Sequence, residues 1–296
     1  MNKSFGNLVT FSGHSGAVYS IDFDGEFIYS GSADKYVVRW NVEDGTQDSF
    51  AIKFPFTPYM VKLFNDNSLL AVGLASGDLH IFDLSERKEI KFFQQHRTGI
   101  FAIEENQFTH HLYVADADGT VSVWNVKTLD LVIYLPLDAG KIRAIETSAD
   151  GKLFYVLAQD GNVRVFDAQT FNEIELFHAH QDGATACMEL TNDLLLTGGK
   201  DAHIKVWDRF TYKVQQSIPA HNYVIYDLLK LNDEVFVSAS RDKTIKVWNS
   251  QALKVIQRIE RKDQGHKHSV NQLVKISENS FASCSDDGTI KVWKLK

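Results

Sequence analysis

Residues 238–248 read SASRDKTIKVW, and the closing part of this stretch returns along the whole chain. TIKVW ends at Trp248 and again at Trp293, HIKVW ends at Trp207 and TVSVW at Trp124. YVVRW ends at Trp40, while LHIF ends at Phe82 and NVRVF at Phe166. From the first of these aromatic residues to the last, the spacings are 42, 42, 42, 41, 41 and 45. A fixed period of this length speaks about the whole fold before any local element is considered. Seven units fill almost all of the 296 residues, and no Pro/Ser/Gly-rich linker breaks them. A single domain over residues 1–296, with no second domain appended, is the expectation.

The unit around SASRDKTIKVW resolves into four short strands. YVIYDLLKL (223–231) and EVFVSAS (234–240) are separated by Asn232 and Asp233. TIKVWNS (244–250) follows the turn Asp242-Lys243, and LKVIQRIE (253–260) completes the unit. Short β-branched and aromatic runs divided by Asp, Asn and Gly predict an all-β array. Asp118-Gly119, Asp160-Gly161 and Asp287-Gly288 are hairpin signals, because both residue types tolerate positive φ. Four-stranded units of this period predict a β-propeller. Each antiparallel sheet would bury both faces against its neighbours, which accounts for runs such as LLLTG (194–198).

Composition narrows the function classes. The chain is 44% apolar and 23% charged, with a net charge of −7, which argues against a polyanion binder. Its two cysteines, Cys187 and Cys284, sit in strand-like runs and read as buried free thiols. The start, MNKSFGNLVTFSGH, lacks a signal-peptide core, and no segment is long and apolar enough to span a membrane. A soluble cytoplasmic protein of a reducing compartment is expected.

At this point the sequence resembles the WD40-repeat family. The residues that carry the likeness are Gly13-His14, Gly265-His266, the histidines His96, His180 and His221, the turns SGSAD, SASRD and SCSDD, and the closing VW followed by Asp or Asn. The resemblance implies a seven-bladed propeller that serves as a non-enzymatic platform for protein partners, with no cofactor. It also implies that an N-terminal strand, Lys3 to Phe11, pairs with the last blade and closes the ring. An open strand edge would otherwise be an aggregation template.

The same resemblance disposes of an apparent catalytic pattern. Serine, histidine and aspartate within one unit look like a nucleophilic triad. In the family these positions form a buried tetrad, from Trp indole to hydroxyl to His to Asp. Carried over, the tetrads are His14, Ser30, Asp34 and Trp40; His180, Thr197, Asp201 and Trp207; His221, Ser238, Asp242 and Trp248; and His266, Ser283, Asp287 and Trp293. The third unit has His96, Asp118 and Trp124 but Val114 at the hydroxyl position. The second has Thr57, Val72, Ser76 and Phe82, and the fourth has Asp138, Val156, Asp160 and Phe166. Phe has no indole hydrogen to donate and Val accepts none, so these two blades are expected to rely on apolar packing.

Other constellations are weak. His178-Ala-His180 and His266-Lys-His268 would put both rings on one side of a strand, but no cysteine or carboxylate pair completes a metal set. There is no GxxxxGK or GxGxxG loop, and Asp116 and Asp118 lack the rest of a calcium loop.

The resemblance also points to top-face positions, three and five residues after the histidine and one before the tetrad aspartate. These give Tyr19 in blade 1, Met60 and Lys62 in blade 2, Phe101 in blade 3, and Lys141, Arg143 and Gln159 in blade 4. They give Lys200 in blade 5, Tyr226 and Arg241 in blade 6, and Asn271 and Asp286 in blade 7. Blades 2 and 4 are registered on Thr57 and Asp138. Five cations face one acid here, with aromatics among them, which fits a hot spot for an acidic partner segment. The loop at Arg261-Lys262-Asp263 is expected beside Arg241. A protein or peptide partner within a larger complex is therefore expected, for a chain that is monomeric by itself. Two other classes compete. A channel enzyme or small-molecule site would draw on Asp22, Glu104, Glu105 and Glu146. Nucleic-acid binding would use the basic face, against the net charge.

Overall fold

The structure, a computed structural model, describes residues 4–296. Seven four-stranded antiparallel sheets form the blades of a β-propeller. Blade 1 is built from Val18–Phe23, Phe27–Ser32, Tyr36–Asn41 and Gln47–Lys53, running from the inner to the outer strand. Blades 2 to 6 repeat this order over 58–93, 100–136, 142–178, 184–219 and 225–259. Blade 7 takes its three inner strands from Val270–Ser277, Ser280–Ser285 and Thr289–Leu295. Its outer strand is Phe5–Ser12, which pairs antiparallel with Thr289–Leu295. Lys3 lies outside the described residues.

The core is divided among the seams between blades. Seven apolar clusters occur, and each combines residues of two adjacent blades. Phe11, Trp40 and Val292 share the seam that joins the first blade to the last. Second strands are sandwiched on both faces, so Leu69–Leu74 is buried along its whole length. Outer strands such as Glu173–His178 are mostly exposed.

Side chains on the inner strands also stitch neighbouring blades. Asp22 accepts the backbone N–H of Leu63 in blade 2 at 2.8 Å, and Asp227 accepts that of Leu273 in blade 7 at 2.7 Å. Gln272 of blade 7 accepts from Ile21 of blade 1 at 2.9 Å. Inner strands of different blades share no ladder, so these bonds satisfy backbone donors that would otherwise lack partners.

Four blades carry the hydrogen-bond chain on the residues expected from the sequence. Trp40 Nε1 donates to Ser30 Oγ at 2.8 Å, His14 Nε2 meets the same oxygen at 2.8 Å, and His14 Nδ1 meets Asp34 at 2.8 Å. Trp207, Thr197, His180 and Asp201 repeat it, as do Trp248, Ser238, His221 and Asp242. Trp293, Ser283, His266 and Asp287 form the fourth. All four hydroxyl residues are fully buried.

Blade 3 departs from the sequence reading. Its chain is complete, but the hydroxyl comes from Ser122, the cross-strand partner of Val114. Ser122 Oγ accepts from Trp124 Nε1 at 2.8 Å and lies 2.7 Å from His96 Nε2. The carboxylate is Asp116, 2.8 Å from His96 Nδ1, in place of Asp118. Blade 4 is corrected as well. Buried Arg164 pairs with Asp160 at 2.7 Å, so this blade holds an ion pair where apolar packing alone was expected. In blade 2 the ring of His80 packs against Phe54, Phe82 and Phe92 and bonds Glu89 at 2.7 Å. Ser122, His80 and Arg164 all stand two residues before the closing aromatic residue. The third strand therefore supplies the polar group wherever Val replaces the second-strand hydroxyl.

Candidate functional site

Each inner strand begins with a bulge, and the bulged residue faces the mouth of the central channel. The ladder between the first and second strands skips Tyr19, Tyr59, Phe101, Arg143, Thr185, Tyr226 and Asn271, one per blade. A bulge leaves one residue unpaired and re-aims its side chain. All seven line one cavity of about 450 Å³.

In six blades the bulged residue is the one five places after the histidine position. In blade 2 it is Tyr59, which puts Phe54 in the histidine's place. Counted from Phe54, the two first-strand positions of this blade fall at Thr57 and Tyr59, three residues before Met60 and Lys62, which line the same cavity. Phe54 packs edge-on to Phe82 at 6.0 Å, so an apolar contact stands where other blades carry the tetrad. Tyr59 is the mouth residue that the sequence reading missed, and its signal was the 40- to 42-residue distance from Tyr19 to Tyr59 to Phe101.

Three rings stand side by side at the mouth and two cations follow them. Tyr19 meets Tyr59 edge-on at 5.4 Å, and Tyr59 stacks on Phe101 at 4.7 Å. Lys141 Nζ lies 4.1 Å above the Phe101 ring, and the Arg143 guanidinium is 5.3 Å from Phe101 and 5.7 Å from Tyr226. Burial, then Arg143 and Lys200, push the Lys141 ammonium below its ordinary value. Burial also lowers Arg143, with Tyr226 opposing it. Among the described residues, neither cation is paired with a carboxylate. Lys200, Arg241 and Gln159 are exposed on the turns between second and third strands. Asp286 lines the cavity and accepts a hydrogen bond from Asn271 Nδ2 at 2.8 Å. The Arg261–Asp263 turn leaves blade 6 just after Ile259, which pairs with Ile245 near the Arg241 turn. Its Lys262 and the neighbouring Arg258 are paired with Glu260 at 2.6 and 3.3 Å.

Below the mouth the chemistry turns acidic. Lys62 reaches Glu104 at 2.7 Å, and both line the upper cavity and a second one of about 340 Å³ beneath it. Burial opposes the charge on Lys62, yet Glu104 and Asp22 hold its ammonium above the ordinary lysine value. Asp22 has both oxygens committed to backbone N–H groups, of Phe23 and Leu63. Glu105 accepts from Asn65 at 3.0 Å. Burial, reinforced by Glu104, raises Glu146 well above the usual carboxylate range. Among the described residues, no two of these carboxylates are left as a free pair. His178 of the first HxH motif meets Asn162 at 3.1 Å, and His180 and His266 belong to tetrads.

A seven-bladed ring with repeated Trp–hydroxyl–His–Asp chains and a bulge-built mouth defines a WD-repeat propeller. The chain belongs to the WD40 family. The family profile "WD domain, G-beta repeat" matches residues 6–41, 87–125, 171–208, 212–249 and 257–294. The two longest unmatched stretches, 42–86 and 126–170, hold most of blades 2 and 4, which lack the Trp and the second-strand hydroxyl. Proteins of this family are generally scaffolds and not enzymes. Curated relatives include "Eukaryotic translation initiation factor 3 subunit I" of Vanderwaltozyma polyspora, 25% identical over 65% of this chain and 61% of the relative. The protein of that name from Drosophila grimshawi is 24% identical over 65% of this chain and 63% of its own length. "Autophagy-related protein 16" of Arabidopsis thaliana is 22% identical over 63% of this chain and 37% of the relative. The alignments thus span about three fifths or less of these relatives.

Proposed function

We propose that this protein is a non-enzymatic scaffold that holds an acidic segment of a partner protein across the top mouth of the propeller. Arg143 carries the reading. A bulge aims it into the cavity between Phe101 and Tyr226, and among the described residues no carboxylate pairs with it to offset its burial. A partly buried guanidinium without a counter-ion gains most from a carboxylate delivered by another chain. Lys141, Lys200 and Arg241 extend the positive half of the mouth. The chain is monomeric by itself and acts as a subunit of a larger cytoplasmic assembly. Support for that role comes from the relatives named as subunits of a translation initiation factor. Of the channel carboxylates, Asp22 and Glu105 are committed to backbone donors and Glu104 to Lys62, which favours a scaffold over a channel enzyme.

The test is to purify the tagged protein from its source cells as wild type, Arg143→Glu and Arg241→Glu, and to quantify co-purifying proteins. At least one partner bound by the wild type should fall about tenfold or more with Arg143→Glu, and less with Arg241→Glu, which is on the rim. Identical partner sets for all three would refute the reading.

A further inference from the structure

The mouth has two chemical poles. On the side of blades 4 to 6, Lys141 and Arg143 cover Phe101, and Arg143 faces Tyr226. On the side of blades 7, 1 and 2 stand Asp286, Tyr19, Tyr59 and Met60, all lining the same cavity. Phe101 and Tyr226 have cations over their rings. Tyr19 and Tyr59 have none among the described residues.

Asp286 is held in place on this second pole. Asn271 Nδ2 donates both to Asp286 Oδ1 and to the carbonyl of Val18, at 2.8 Å each. This fixes the exposed carboxylate next to the inner strand that carries Tyr19. Among the described residues no lysine, arginine or histidine is paired with Asp286. The Asp286 charge reaches Tyr19, where burial and then that carboxylate raise the phenol above its ordinary value. An anchored carboxylate beside two tyrosine rings that hold no cation of their own is a receptor for an organic cation, which gains from both the charge and the ring quadrupoles.

We propose that the partner segment is bipolar: an acidic residue seats on Arg143 and Lys141 while a lysine or arginine of the same segment seats on Asp286, Tyr19 and Tyr59. This rests on the proposed function above and adds a second, opposite requirement to it. A segment carrying only acids would meet Asp286 as a repulsion, and a segment carrying only bases would meet Arg143. The two poles together also fix the direction in which the segment crosses the mouth.

The test uses a displayed library of random dodecapeptides selected on the intact protein, followed by fluorescence anisotropy of an enriched peptide. Enriched peptides should carry an acid and a base together. Replacing the peptide's base by Ala, or using Asp286→Lys, should weaken binding about five- to tenfold. The two changes together should cost little more than either alone, because they remove the same contact. Arg143→Glu should lower affinity whichever change is present. Peptides that are acidic only, with binding untouched by Asp286→Lys, would overturn the bipolar proposal and leave the acidic-segment reading standing. No enrichment, or enrichment indifferent to Arg143→Glu, would overturn both.

Discussion

Ser122 shows how little a residue's identity fixes until its strand partner is known. In four blades the hydroxyl under the indole is on the second strand, ten residues before the tryptophan. In blade 3 it is on the third strand, two residues before Trp124, yet it meets the same two nitrogens. Val114 and Ser122 are cross-strand partners, so a swap across the ladder keeps the oxygen within reach. Read along the chain, Val114 looked like a lost tetrad; the pairing that restores it exists only in the folded sheet. Ser122→Ala leaves the Trp124 N–H and a histidine nitrogen buried without partners. The variant should lose about 2–4 kcal/mol, since each unsatisfied buried group costs about 1–3 kcal/mol. Urea unfolding would show it as a lower midpoint with an unchanged slope; an unchanged midpoint would mean that water replaces the hydroxyl.

At the scale of elements, the period of the chain made the strands and their number legible, because one aromatic closes each third strand. The bulges were legible only through the histidine that precedes them. Where Phe54 replaces that histidine the register was lost, and with it Tyr59. The closing strand is a second element whose role exceeds its length. Phe5–Ser12 completes blade 7, and Phe5 and Phe11 are only 6% and 1% exposed. Gln257 of blade 6 bonds both the N–H and the C=O of Phe5, at 2.7 and 2.8 Å. Deleting residues 1–12 removes two buried phenylalanines, worth about 2–3 kcal/mol each, and leaves Thr289–Leu295 as an open edge. The truncated protein should unfold at clearly lower denaturant and scatter light at concentrations where the full chain stays clear. Matching unfolding curves would show that the ring closes without this strand.

Over the whole molecule, the tetrads and the channel pull stability in opposite directions with pH. Burial, outweighing the aspartate partners, lowers the imidazoles of His14, His180, His221 and His266 from 6.5. Below about pH 6.5 the unfolded chain takes up protons that the folded ring refuses, so these four groups lose stability as pH falls. Their aspartates act later. Burial would raise Asp242 and Asp287, but the hydrogen bonds and charges of their histidines hold both below 3.8, so they destabilise only as pH drops below that value. The channel carboxylates have the reverse sign. Burial raises Asp227 to about 7 from 3.8, and backbone donors offset only part of it. The folded chain therefore binds a proton there that the unfolded chain releases, and this contribution grows as pH falls from 7 towards 4. Between pH 7 and pH 5 Asp227 should thus mask part of the imidazole loss. Asp227→Asn should lower stability at every pH, because one of the Leu228 and Leu273 N–H groups loses its acceptor. It should also lose about 1–2 kcal/mol more than the wild type between pH 7 and pH 5, a difference set by one proton. Urea unfolding at pH 5, 6 and 7 reads this as diverging stability curves; parallel curves would mean that Asp227 is already ionised in the folded ring.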